Sequence, residues 1–335
     1  GERPLRKLRV VYWNGEDPQD ELDRRFAAAI KHFGIGRSDL GDRLMVDSGR
    51  SLPLKLAIHK DGTVKLAKGK VNEIVEALKD FGADVFIADP FVTTHTVSEN
   101  DNTAMNEVVD LWREIADRSG CAIDLVHHTT KQARLPGQAE LLGAAQARGA
   151  GAIVDAARSE RHLIAMNAED AEKLGIENGH KRYFQVVSGK ASMAPAAEIA
   201  IWRKHESVDL ANATREYPEG DNVGVVVQWE PPNAEDGLEE GTLDKVKAVV
   251  AGSNWRESEQ SAEWVGYAIA EVLGVDIGAA KARERNGTES AARAKVRRLV
   301  SKWRGSGDLV RVLRPDPKNR RDSAPFIEVG KDPYE

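Results

Sequence analysis

The chain has 335 residues, with 48 Lys+Arg against 54 Asp+Glu, a formal net charge of −6 and 41% hydrophobic content. That is ordinary for a soluble protein and long enough for a full α/β domain plus a smaller module. No apolar run approaches a membrane span, and the lone Cys121 excludes an intrachain disulfide and fits a reducing cytoplasm.

In chain order, the apolar run Leu8–Trp13 predicts a buried strand that ends in Gly15-Glu16-Asp17-Pro18. A helix near 20–33 follows, with Leu22, Phe26, Ile30 and Phe33 at helical spacing. Leu54–His59, the turn Lys60-Asp61-Gly62 and Thr63–Leu66 read as strand, turn and strand. A helix from about Val71 to Phe81 leads into the strand Val85-Phe86-Ile87-Ala88-Asp89, and another near 103–119 stops at Gly120. Cys121–Val126 is a third apolar strand, delivering His127-His128. A small-residue helix at about 139–157 and strands near 161–166, 182–188, 197–204 and 223–229 complete this part.

Alternating helix and strand over the first ~130 residues implies an α/β fold with a mostly parallel sheet, extended by the later antiparallel strands. Residues 1–230 form the expected core domain, the Pro/Gly-rich stretch 231–241 a linker, and 242–335 a second domain. Three buried parallel strands presenting an acid, an acid and a histidine at their carboxyl ends are a pattern suited to nucleotide hydrolysis.

Four short motifs stand in order on these elements: Gly15-Glu16-Asp17-Pro18; Ala88-Asp89-Pro90-Phe91 with His95; His127-His128-Thr-Thr-Lys131; and Arg148-Gly149-Ala150-Gly151 running to Arg158. Over roughly residues 8–205 the chain resembles the RecA-like AAA-type ATPases, in particular the hexameric replicative helicases of plasmids and phages. The resemblance implies ATP and Mg²⁺ as cofactors, DNA as partner and a homo-oligomer, a hexamer in that family. It implies Glu16 as the carboxylate that orients the attacking water and Asp89 as the acid holding Mg²⁺ through water. His128 or His127 is then the sensor, Arg158 the arginine finger offered to a neighbouring subunit, and Lys190 a second basic residue facing the nucleotide. Read structurally, Glu16 is a helix amino-terminal charge, Asp89 closes a turn, and Arg158 caps a helix carboxyl end.

One departure is large. The phosphate-cradling run G-x-x-x-x-G-K-[ST] is absent, and the Gly-Lys pairs at 69–70, 189–190 and 330–331 lack its other members. In that family the loop precedes the Glu16 strand. The chain starts at Gly1 close to a strand, so it reads as a fragment whose parent is the ATPase.

The charge is uneven. Residues 281–321 carry 14 basic and 4 acidic side chains, a net of +10, against −10 over residues 1–240. Helices near 243–251, 260–273 and 289–304, then a hairpin of Asp308–Leu313 with Pro325–Val329, give the layout of a winged helix. Val296, Leu299, Val300 and Trp303 form the core stripe of its third helix. Arg293, Arg297, Arg298 and Lys302 on that helix, with Arg320 and Arg321 at the hairpin tip, are the expected DNA contacts. Two further readings use the same residues: a DNA-binding regulator or initiator with the ATPase fold as an assembly switch, or a scaffold without catalysis.

Overall fold

The computed structural model describes residues 5–51, 53–60, 63–128, 151–174, 176, 178–192, 201–316 and 321–330. The chain divides into two compact units. One comprises Gly1–His162, Val187–Ile199 and His205–Val227; the other comprises Leu163–Val186, Ala200–Lys204 and Gln228–Glu335.

The first unit begins with β1 (Val10–Asn14), α1 (Gln19–His32), the short α2 (Arg37–Leu40) and β2 (Leu44–Ser48). A hairpin of β3 (Ala57–Lys60) and β4 (Thr63–Leu66) leads to α3 (Lys68–Phe81), β5 (Val85–Asp89), α4 (Asn102–Ser119) and β6 (Ala122–Leu125). The sheet is parallel, in the order β2-β1-β5-β6. Helices form where the apolar period is helical, and α3 and α4 end where the backbone turns left-handed. Asp101 caps α4 by accepting from the N–H groups of Thr103 and Ala104, and Gly120 closes it at φ 71°.

Val71, Val75 and Leu78 of α3 and Met105, Val108, Trp112 and Ile115 of α4 pack with Val11, Trp13 and Phe86 of the sheet. Phe86 stacks on Trp112 at 5.8 Å between ring centroids. Among the described residues β6 is an edge strand of this sheet. It exposes Ala122 and the carboxylate-bearing Asp124, whereas Ile123 and Leu125 pack against the core.

After α5 (Gly151–Ala156), strands β7 (Ser159–Ala165), β8 (Tyr183–Ala191), β9 (Ile201–Asp209) and β10 (Asn222–Gln228) make a four-stranded sheet in the order β10-β9-β8-β7. β8 and β9 pair antiparallel, as expected, and among the described residues the pairing of these four strands is to one another. A short helix, α6 (Ala168–Leu174), lies between β7 and β8 in sequence.

The second unit ends in α7 (Thr242–Ala251), β11 (Trp255–Arg256), α8 (Val265–Leu273), α9 (Gly287–Gly305), β12 (Leu309–Asp316) and β13 (Arg321–Val329). The three strands pair antiparallel as β11-β13-β12. Val246, Trp264, Ile269, Val296, Leu299, Trp303, Leu309 and Ile327 form its core. Asn286 and Glu289 cap α9 reciprocally through each other's backbone N–H.

Arg293 departs from expectation. It is fully buried, with its guanidinium 4.5 Å from the Trp264 ring centroid and 5.5 Å from that of Tyr267. It donates to the Glu259 carbonyl at 2.8 Å. Arg293 is therefore a packing residue of the core and offers nothing to DNA, because rings and carbonyls hold its planar cation away from the surface.

Candidate functional site

The carboxyl ends of the parallel strands carry the acids and histidines singled out in the sequence. The connection from β1 goes to β2 on one side, and the chain returns on β5 at the other side, so the strand order reverses between β1 and β5. A crevice at such a reversal is where open α/β sheets bind ligands. Asn14 and Asp89 are register partners across it, and the Gly15 N–H donates to the Asp89 carbonyl at 2.8 Å.

Asn14 is buried and shapes the turn. Its side-chain oxygen accepts from the N–H groups of Glu16 at 2.9 Å and Asp17 at 2.7 Å, and its amide donates to the Tyr12 hydroxyl at 3.1 Å. A side chain at Gly15 would collide with Thr93 and the Trp13 ring, so only glycine fits there. The turn ends at α1, with Asp20 and Glu21 in its first turn. Asp17 is held by Arg25 at 2.6 Å, which leaves Glu16 as the exposed carboxylate of the turn.

Asp89 is half-buried and accepts from the Tyr12 hydroxyl at 2.6 Å. Burial, and then this hydrogen bond, push the Tyr12 phenol up to about 12, so it stays protonated as a donor. One Asp89 oxygen is thus engaged. Among the described residues there is no group of three or more His, Cys, Asp or Glu able to hold a metal.

The two histidines separate. His127 is half-buried, its Nε2 lying 3.1 Å from Glu99 Oε1, while His128 is exposed. His95 is buried under Phe91 and its pKa is lowered by burial; its Nδ1–H donates to the Val97 carbonyl at 3.2 Å. Arg158 is exposed just beyond α5. Lys190, instead of Arg158, caps that helix, donating to the carbonyls of Val154 at 2.9 Å and Asp155 at 3.0 Å. Arg148 and Lys131 lie outside the described residues. Sequence reasoning missed Tyr12, Asn14 and Glu99; the Asn-Gly pair at the end of an apolar strand was the available signal for Asn14.

Part of the basic stretch is counter-charged within its own unit. Arg297 pairs with Glu259 at 2.6 Å, Arg304 with Glu257 at 2.9 Å, and Lys302 with Glu235. Arg298 is half-buried, and burial lowers its pKa. Arg321 opens β13, and Arg320 lies outside the described residues.

Residues 1–134 match the family model described as "AAA domain". That match covers β1, β5 and β6 and the acids and histidines at their ends. A solved structure described as an ATPase domain aligns at a TM-score of 0.37 and 11% identity, over 64% of this chain and 74% of that one. Among the described residues no helix is long and apolar enough to cross a membrane.

Proposed function

We propose that this chain provides the catalytic face of a RecA-like, ATP-hydrolysing motor that acts on DNA as a ring oligomer, of the replicative-helicase type. The observation that carries the reading is the placement of Glu16 and Asp89 on either side of the β1/β5 reversal, with His127-His128 following the next strand. ATP with Mg²⁺, when bound, supplies the phosphoryl group to be transferred to water. Glu16, exposed and aimed by the Asn14 turn, orients that water. Asp89 holds the ion through water with the oxygen that Tyr12 leaves open. His128 is the sensor, set in place by the His127–Glu99 pair. Arg158 reaches a neighbouring subunit's phosphates, and Lys190 fixes the end of α5 beneath it. The last six elements, from α7 to β13, act as a winged helix on DNA.

The same fold also serves a second reading: a DNA-binding regulatory or scaffold protein that uses it as an assembly switch. Steady-state ATP hydrolysis with and without DNA separates the two. The motor reading expects background turnover from this chain alone. It expects DNA-stimulated turnover from a chain in which a phosphate-binding loop accompanies residues 1–335. Robust turnover by this chain alone, insensitive to Glu16→Gln, would overturn the site assignment.

A further inference from the structure

The second unit contains a charged hollow of ≈ 740 Å³ between α9, β12 and the loop 257–264. Arg297, Ser301 and Arg304 of α9 line it at i, i+4 and i+7, one stripe of the helix, and Arg311 of β12 joins them. Two carboxylates line the same hollow. Glu257 accepts from Arg304 at 2.9 Å and Arg311 at 2.8 Å, and Glu259 accepts from Arg297 at 2.6 Å. Both acids come from the segment between β11 and α8, outside the basic stretch.

We propose that this hollow is a binding site for the phosphodiester backbone of DNA, and that Glu257 and Glu259 occupy it in the free protein as internal phosphate mimics. The inference rests on the DNA-binding role proposed above and moves its contacts. Arg293 is buried, so the phosphates meet Arg297, Arg304 and Arg311 in place of it.

The charges and geometry support exchange. Each guanidinium presents a planar fork that fits a phosphate as well as a carboxylate. The pairs are partly solvated, with side-chain exposures of 24% and 41% for Arg297 and Glu259 and 35% and 26% for Arg304 and Glu257. Ion pairs of that exposure contribute little to stability, so a polyanion can displace the carboxylates at small cost. A stripe of cations on one helix beside a β-hairpin also suits a duplex, which offers phosphates in regular rows. An acidic protein surface offers no such row.

The test is duplex binding by the full chain, followed by fluorescence anisotropy across a salt series, for the wild type, Glu257→Gln, Glu259→Gln and Arg304→Ala with Arg311→Ala. Removing a competing carboxylate should tighten binding about three- to tenfold at ~100 mM salt and steepen the salt slope by about one for each cation released. The arginine double variant should lose binding and flatten the slope. Melting curves confirm that each variant is folded. Should Glu257→Gln unfold because it serves two arginines, Glu259→Gln tests the same mechanism on a separate pair. Wild-type DNA binding that the folded glutamine variants leave unchanged or weaken overturns the mimicry while sparing the DNA-binding reading. No duplex binding by any variant overturns both. So does tighter binding of the glutamine variants to polyaspartate than to duplex.

Discussion

Glu16 and Asp89 are both carboxylates at strand ends, but their surroundings differ, and the roles proposed for them differ accordingly. Glu16 is exposed, whereas Asp89 is half-buried and holds a hydrogen bond from Tyr12. In an active chain Glu16→Gln should therefore abolish hydrolysis and keep nucleotide binding, since a water-orienting group acts in the transition state. Asp89→Asn should also weaken Mg²⁺-dependent binding; equal losses of binding in both variants would remove the assignment. A second residue makes a stability prediction. The Arg6 guanidinium, followed by the Arg9 backbone N–H, holds the Asp84 carboxyl down at about 2. A folded-state pKa below the unfolded value means the stabilisation is complete above the unfolded pKa and is lost as pH falls through the folded one. Acid unfolding should thus steepen between about pH 4 and pH 2, and Asp84→Asn should flatten that part of the curve while lowering stability at neutral pH.

At the scale of elements, the junction of α5 with β7 sets the geometry of Arg158. Arg158→Ala should leave ATP binding intact in an active chain and reduce hydrolysis by about 10³-fold or more if the residue is a finger. Mixed with Glu16→Gln subunits, it should recover part of the activity at shared interfaces. Failure to recover activity, with assembly verified, would assign Arg158 a structural role. Most of these elements were legible in the sequence. The apolar runs gave β1, β5 and β6, and helical spacing gave α1, α3, α4 and α9 within a few residues. β2 was missed because Leu44–Ser48 is a short edge strand with only three apolar residues. The strand expected at Leu54–His59 begins later, at Ala57, because Leu54 and Leu56 are buried ahead of the hairpin. Arg293 was misread by its charge, although it lies three residues before Val296 and seven before Val300, on the core stripe itself. The counter-ions of α9 were not legible at all. Glu235, Glu257 and Glu259 come from other segments, and only the tertiary fold brings them to the helix.

For the whole molecule, a net charge of −6 conceals opposite signs in its two parts, and the fold then cancels part of the basic stretch internally. The two hydrophobic cores have no residue in common. Trp303→Ala removes a buried ring from one of them and should cost about 3–5 kcal/mol. The expected result is a lowered melting step for the second unit, with hydrogen exchange around the Phe86–Trp112 stack unchanged; loss of protection in both places would mean that the two cores melt as one. Among the described residues the parallel sheet itself stops at β6, a strand of four residues with Asp124 on its exposed side. An edge of this kind is a template on which a second extended chain can add, and a negative charge on it raises the barrier to such addition. Asp124→Asn should therefore speed the growth of turbidity in concentrated preparations, and unchanged turbidity would mean that chains do not add at this edge.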